Sequence, residues 1–263
     1  MHFKPLAICF ALLSFSCHNL ANNKTIKKNP VKADSNIIGS ENPYAHINEI
    51  PLPDGYKRIN VAPGSFGEWL RNFELKKDRT VYLFNGEAKF NQTAQYAVLN
   101  IDVGNKDLQQ CADAVMRLRA DWQFAMQKFD SITFTDNEHG VYHFTAPYNR
   151  SNFNTYLSRV FGMCGSASLS KQLHAVDDLS TIMPGDVLIR GGFPGHAVIV
   201  MDVATNDAGE RIYMLAQSYM PAQDIHVLNN PLYASLSPWF QVNDHKLIQT
   251  PEYTFYRTEL KRW

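Results

Sequence analysis

Pro184-Gly185-Asp186-Val187-Leu188-Ile189-Arg190-Gly191-Gly192-Phe193-Pro194-Gly195-His196-Ala197-Val198-Ile199-Val200-Met201 is the stretch whose reading decides the fold. Two apolar runs, 186–190 and 197–203, flank a connection of Gly and Pro, the pattern of two strands joined by a turn. A histidine stands at the mouth of the second run, where a plain hairpin needs no imidazole. Gly191, Gly192 and Gly195 leave the loop before it open to a substrate. His196 is therefore the first candidate functional residue, as a general base. The alternative is a turn histidine bonded to a backbone carbonyl.

Downstream, Asn206-Asp207-Ala208-Gly209 joins the second run to a third strand over 211–217. Its last residue, Gln217, can accept an imidazole N–H through its amide oxygen; otherwise it is a strand-end glutamine in solvent. A fourth strand is expected over 224–228 and a closing edge over 254–257. The strands 186–190, 197–203 and 211–217 are expected as consecutive antiparallel neighbours, with a helix over 151–161 packed against them. Ser151 is the expected cap of that helix, with Phe153, Tyr156, Leu157, Val160 and Phe161 facing inward. Gly162 to Ser166 breaks it, and a short helix carries Leu169 and Leu173.

Further upstream, Leu108, Cys111, Val115, Leu118, Trp122, Met126 and Phe129 recur every three or four residues, one apolar stripe on a helix capped by Asn105. Asp113 and Arg117 are spaced for an intrahelical ion pair. Tyr96 to Val103 reads as a central strand, and Val81-Tyr82-Leu83-Phe84 as a strand closed by Asn85-Gly86. Ser65-Phe66-Gly67-Glu68 opens a short helix as a capping box. Helices first and then a run of antiparallel strands is an α+β layout, an antiparallel sheet packed against a few helices.

The chain has 263 residues, and its 25 basic and 25 acidic side chains cancel. That removes any broad electrostatic pull toward nucleic acid. Lys4, the apolar run 6–15 and Ser16-Cys17 read as a signal peptide over 1–17 ending in a lipobox. An ordinary secretory signal cut near Ala21 is the alternative. Lipidation of Cys17 would anchor the protein to a membrane of the bacterial cell envelope, on the periplasmic side. Residues 18–45 are polar, rich in Asn and Lys, and read as a flexible tether. Residues 46–263 are expected as a single α+β domain. An envelope compartment permits Cys111 and Cys164 to pair, though spacing alone does not say that they do.

A thiol hydrolase needs a cysteine, a histidine in contact with it, and a polar group that orients the imidazole. His196 and Gln217 fill the last two roles. Cys111 follows a buried strand and belongs to a long helix, but it falls on the apolar stripe and one turn or more inside. That placement favours a packed, inert thiol. Cys164, just past the 151–161 helix, has the lesser claim as a nucleophile. No histidine shows metal-ligand spacing with Cys, Asp or Glu, and no glycine-rich phosphate loop opens a helix. No metal or other cofactor is expected.

Two resemblances follow from these residues. The Pro184-Gly185-Asp186 strand, the glycine-rich loop and the His196 strand resemble the signature of NlpC/P60 papain-like hydrolases, over about residues 150–220. That resemblance implies a papain-like hairpin in the C-terminal half, with His196 as base and Gln217 as orienter. It places the cysteine at the opening of a helix before the Pro-Gly-Asp strand, where 150–153 reads Arg-Ser-Asn-Phe. Trp69-Leu70-Arg71, the run Asp107 to Arg119, Gly191 to Val198 and Leu215 to Gln223 are similar to the bacterial envelope proteins grouped as domain of unknown function 4846. Two readings result. One is an envelope cysteine hydrolase acting on amide bonds of cell-wall peptides, with peptidoglycan as partner and Cys111, His196 and Gln217 as catalytic residues. The other is a catalytically inactive binding or scaffolding lipoprotein, whose cleft involves Gly191, Gly192, Gly195 and Ser218.

Overall fold

The computed structural model describes residues 38–263. The signal peptide, Cys17 and most of the tether lie outside the described residues. Packing begins ahead of residue 46: the Gly39 amide donates to Thr80 Oγ1 at 2.8 Å, and Asn42 is buried against the Lys76 and Lys77 carbonyls.

In chain order the elements are β1 (Tyr56–Arg58), α1 (Phe66–Arg71), β2 (Gln95–Val98), α2 (Cys111–Ala125), β3 (Thr133–Thr135), β4 (Val141–His143), α3 (Arg150–Met163) and α4 (Ser166–Gln172). There follow β5 (His174–Ala175), β6 (Val187–Arg190), β7 (His196–Asn206), β8 (Arg211–Gln217), β9 (His226–Leu228), β10 (Trp239–Gln241), β11 (Leu247–Gln249), β12 (Thr254–Tyr256) and β13 (Leu260–Arg262). The fold is mixed α+β. Its main sheet runs β2-β9-β8-β7-β6-β13-β5, with β1 added on β7 and β10 on β8, and every pairing in it is antiparallel. The strands expected from the 184–217 stretch are β6, β7 and β8, consecutive neighbours as anticipated.

Side-chain alternation along β7 builds two layers. Ala197, Ile199 and Met201 point into a core shared with α1, α2, α3 and α4, while Val198 and Val200 point into a second core with Tyr213, Leu215 and Phe255. The helix laid on β7 and β8 is α2, not the 151–161 helix, which packs on α2. Ala112, Ala114, Val115, Met116, Leu118 and Ala120 are all 2% exposed or less, so α2 is enclosed on nearly every side rather than along one stripe. Its small alanines let neighbouring elements approach closely, and full burial of a side chain such as Leu118 stabilises by about 1.5–3 kcal/mol.

Several local expectations are corrected. Asn149, not Ser151, caps α3, its side chain accepting the Asn152 amide at 2.9 Å. Arg117 pairs with Asp121, and Asp113 instead accepts the Gln110 amide. Of the expected 96–103 strand only residues 96–98 form a ladder, as part of β2 at one end of the sheet, where residue 75 bridges residue 99 and Tyr44 stacks on Tyr96 to cover them. The 81–84 segment makes its turn at Gly86 but only isolated bridges. β12 is not an edge of the main sheet: it pairs with β11 as a separate hairpin, and β13 and β5 form the edge beyond β6.

Candidate functional site

The chain enters α2 through a segment held out of the helix by side chains. Asp107 accepts the Ala222 amide at 2.7 Å, Ser218 Oγ donates to the Gln109 carbonyl at 3.0 Å, and Asp113 receives the Gln110 amide at 3.0 Å. Gln110 is the N-cap and Cys111 the first helical residue. Asn105 does not cap, Leu108 lies before the helix, and Met126 and Phe129 lie beyond it. The cysteine expected a turn inside the helix therefore stands at its tip, where amides lack intrahelical acceptors.

Three amides favour a Cys111 thiolate: those of Ala112, Ala197 and Cys111 itself. Burial and the neighbouring Asp113 oppose it and prevail, pushing the thiol up to about 11. Burial likewise pushes the Asp113 carboxyl up to about 8, against the bond from the Gln110 amide, and its Oδ1 has no partner among the described residues.

His196 opens β7 and Gln217 ends β8. Continuing the register from Ile199 opposite Ala216 makes the two side chains diagonal neighbours on one face. The imidazole Nε2 lies 2.8 Å from Gln217 Oε1. Burial pushes His196 down to about 4, against the Gln217 bond, so the ring is neutral at pH 7. Tyr219 and Tyr253 flank it at 4.7 and 4.9 Å between ring centres, and Phe255 stacks at 5.8 Å. Gln217 is 1% exposed, not a solvated strand end. Its Nε2 donates to Glu252 at 2.8 Å, and Glu252 in turn receives Lys89 Nζ at 2.6 Å and Asn91 Nδ2 at 3.0 Å. Buried His226 stands behind, its Nδ1 2.9 Å from the Asp224 carbonyl.

Cys111 and His196 open onto one cleft of about 540 Å³, together with Cys164, Ser166, Gly195 and Tyr219. The sulfur and the imidazole approach it from opposite faces of β7. Ala197, whose amide favours the Cys111 thiolate, follows His196 in β7. Among the described residues no hydrogen bond joins Cys111 to His196, and His196 Nδ1 has no hydrogen-bond partner. Exposed Met163, Phe193 and Met220 form an apolar rim. Cys164, the C-cap of α3, is a thiol pushed up to about 12 by burial; among the described residues neither it nor Cys111 is in a disulfide, so the two do not pair. Gly192 and Gly195 line the cleft. Gly191 instead packs on α4, where a Cβ would meet Ala167 Cα at 3.2 Å. A Cβ on Gly195 would meet Ser166 Oγ at 2.2 Å and the Gly192 carbonyl at 2.5 Å, so only glycine fits. Ser218 is fully buried beneath the cleft, bonded to the Gln109 and Gln223 carbonyls. Among the described residues no group of three or more His, Cys, Asp or Glu is placed to hold a metal ion. None of the described helices is long and apolar enough to cross a membrane.

Sequence reasoning missed Glu252, Tyr253, Lys89 and His226. Nothing local marks them; Lys89 and Glu252 are 163 residues apart in the chain.

These features define an α+β protein with a cysteine, a histidine and a glutamine gathered at the end of two central strands. The family described as Domain of unknown function (4846) matches residues 47–146 and 135–262, and the chain belongs to it. No curated protein and no solved structure matches the chain.

Proposed function

We propose that the cleft is the site of a papain-like cysteine hydrolase, with Cys111 as nucleophile, His196 as base and Gln217 as orienter. The observation that carries this reading is the place of Cys111: first residue of the helix packed on β7, lining the same cleft as His196. NlpC/P60 hydrolases, which the 184–217 stretch resembles, have their cysteine at such a helix opening.

The resting pair is neutral, thiol and imidazole, since burial disfavours both charges. Reaction then requires His196 to take the thiol proton as sulfur attacks a substrate carbonyl carbon. Catalytic contacts of this kind tighten when substrate fills a cleft. Imidazolium passes its proton to the leaving amine, and the C–N bond breaks. Water, activated by the same imidazole, hydrolyses the resulting thioester to carboxylate and free thiol. The substrate class is the amide bonds of cell-wall peptides, and the setting is an envelope lipoprotein anchored through Cys17 on the periplasmic side.

Iodoacetamide labelling at pH 7.5, read by mass spectrometry, tests the reading. Cys111 should be labelled in the folded protein, and His196→Ala should slow labelling at least tenfold. The same variant and Cys111→Ala should abolish release of free amines from peptidoglycan peptides. A Cys111 that is inert, or that reacts equally in His196→Ala, overturns the hydrolase. Both thiols being held protonated by burial favours a second reading, a binding cleft without catalysis. That reading gains if peptidoglycan peptides bind and are not cleaved.

A further inference from the structure

We propose that Glu252, held by Lys89, is a positioning residue that fixes which nitrogen of His196 carries the proton. Its catalytic consequence rests on the hydrolase reading; the protonation pattern itself does not.

The argument is a count of donors and acceptors. Glu252 Oε2 receives Lys89 Nζ at 2.6 Å, and the two side chains are only 15% and 7% exposed. Asn91 Nδ2 donates to the other oxygen, Oε1, at 3.0 Å, so both carboxylate oxygens face donors and act as acceptors. The end of the Gln217 amide that faces it, 2.8 Å away, must therefore be the NH₂. On the other side of that NH₂, His226 lies 3.5 Å away. Its Nδ1 donates to the Asp224 carbonyl, which leaves a lone pair on Nε2. Both amide hydrogens thus have acceptors, and turning the amide over would set its oxygen against a carboxylate.

With the NH₂ committed, the carbonyl oxygen of Gln217 must face His196 Nε2, as it does at 2.8 Å. A carbonyl cannot donate, so Nε2 carries the hydrogen. A neutral imidazole has one N–H, and the lone pair then resides on Nδ1. Among the described residues that is the nitrogen without a partner, and the one available to take a proton from a thiol in the cleft. Gln217 alone does not fix this, because a free amide can rotate and serve either tautomer. The Glu252 carboxylate breaks the symmetry. Glu252 and Tyr253 sit together in the turn between β11 and β12, where the Thr250 amide donates to the Tyr253 carbonyl at 2.8 Å. The separate hairpin thus brings a ring and the carboxylate to the histidine together.

Long-range ¹H–¹⁵N correlation of the imidazole nitrogens, on the whole protein at pH 7, reads the tautomer directly. The His196 signals are assigned by their loss in His196→Ala. The native protein should show His196 as Nε2–H alone. Removing both charges with Lys89→Met/Glu252→Met avoids stranding a buried ammonium, and should bring the Nδ1–H form to at least a third of the population. Glu252→Gln, whose amide oxygen can still accept, should restore Nε2–H. Thermal unfolding checks that each variant is folded; if the double variant is not, native protein and Glu252→Gln still decide through the native tautomer. A native His196 in the Nδ1–H form, or a folded double variant that keeps Nε2–H alone, overturns the proposal. Cys111 labelling should slow at least threefold in the double variant. If labelling never depends on His196 while the tautomer follows Glu252, the hydrolase reading fails and the positioning role stands.

Discussion

Asp113→Asn should flatten the pH dependence of stability on the alkaline side of neutrality. Burial pushes the Asp113 carboxyl from 3.8 to about 8, so between those values the folded chain holds a proton that the unfolded chain has released. Stability is therefore lost as pH rises through this range. His196 acts in the opposite sense: its value falls from 6.5 to about 4, so the unfolded chain binds the extra proton and stability rises with pH over that interval. His226, also pushed down by burial, adds to the rise below 6.5. Above pH 6.5 the histidine contributions are complete and the fall due to Asp113 is left uncovered. From 6.5 to 8 it amounts to on the order of 2 kcal/mol, at about 1.4 kcal/mol per pH unit for one proton. Stability should thus peak near pH 6.5. Urea unfolding followed by circular dichroism at half-unit pH steps measures it. Asn keeps an oxygen for the Gln110 amide and carries no charge, so the variant should lose the fall between pH 6.5 and 8. A native protein equally stable at both pH values, or an Asn variant with an unchanged fall, would refute the assignment of a buried, proton-retaining Asp113.

The same substitution removes a charge that disfavours the Cys111 thiolate, so iodoacetamide labelling above pH 8 should be faster in Asp113→Asn than in the native chain; equal rates would mean that the carboxylate does not act on the sulfur. Leu118→Ala empties space at the centre of α2, where Leu118 is fully buried, and should cost about 2–5 kcal/mol in chemical denaturation; a loss under half a kcal/mol would mean that the core closes over the gap. Gly195→Ala should cost about 1–3 kcal/mol or more, because the new methyl meets backbone carbonyls of Gly192 and Arg190 as well as Ser166. Adding Ser166→Ala should not restore stability, and full restoration would show that the side chain alone was the obstacle.

The strands β6, β7 and β8 were legible because each is an apolar run bounded by turn residues, and those signals are local. His196 and Gln217 were legible for the same reason, each standing at a strand terminus. The start of α2 was not. Leu108 and Cys111 fit the helical period of the residues after them, but Asp107 and Ser218 hold the entry through bonds to partners more than a hundred residues away. Periodicity could not register those bonds, and they move Cys111 from the interior of a stripe to the tip of a helix. For β2, apolar composition suggested a central strand. Its burial comes instead from covering segments at the end of the sheet. Glu252 and Lys89 lie in ordinary polar stretches, and only the fold makes them neighbours of the imidazole.

The hairpin of β11 and β12 has a consequence for timing. Cys111, His196 and Gln217 are in place in the chain long before Glu252, Tyr253 and Phe255 are made. A chain halted after residue 249 would contain every proposed reacting group, yet lack the carboxylate that orders the amide and two of the rings that wall the imidazole. The surroundings of His196 are completed from the C-terminal side, so an unfinished chain would carry Cys111 and His196 without the carboxylate and rings of the hairpin.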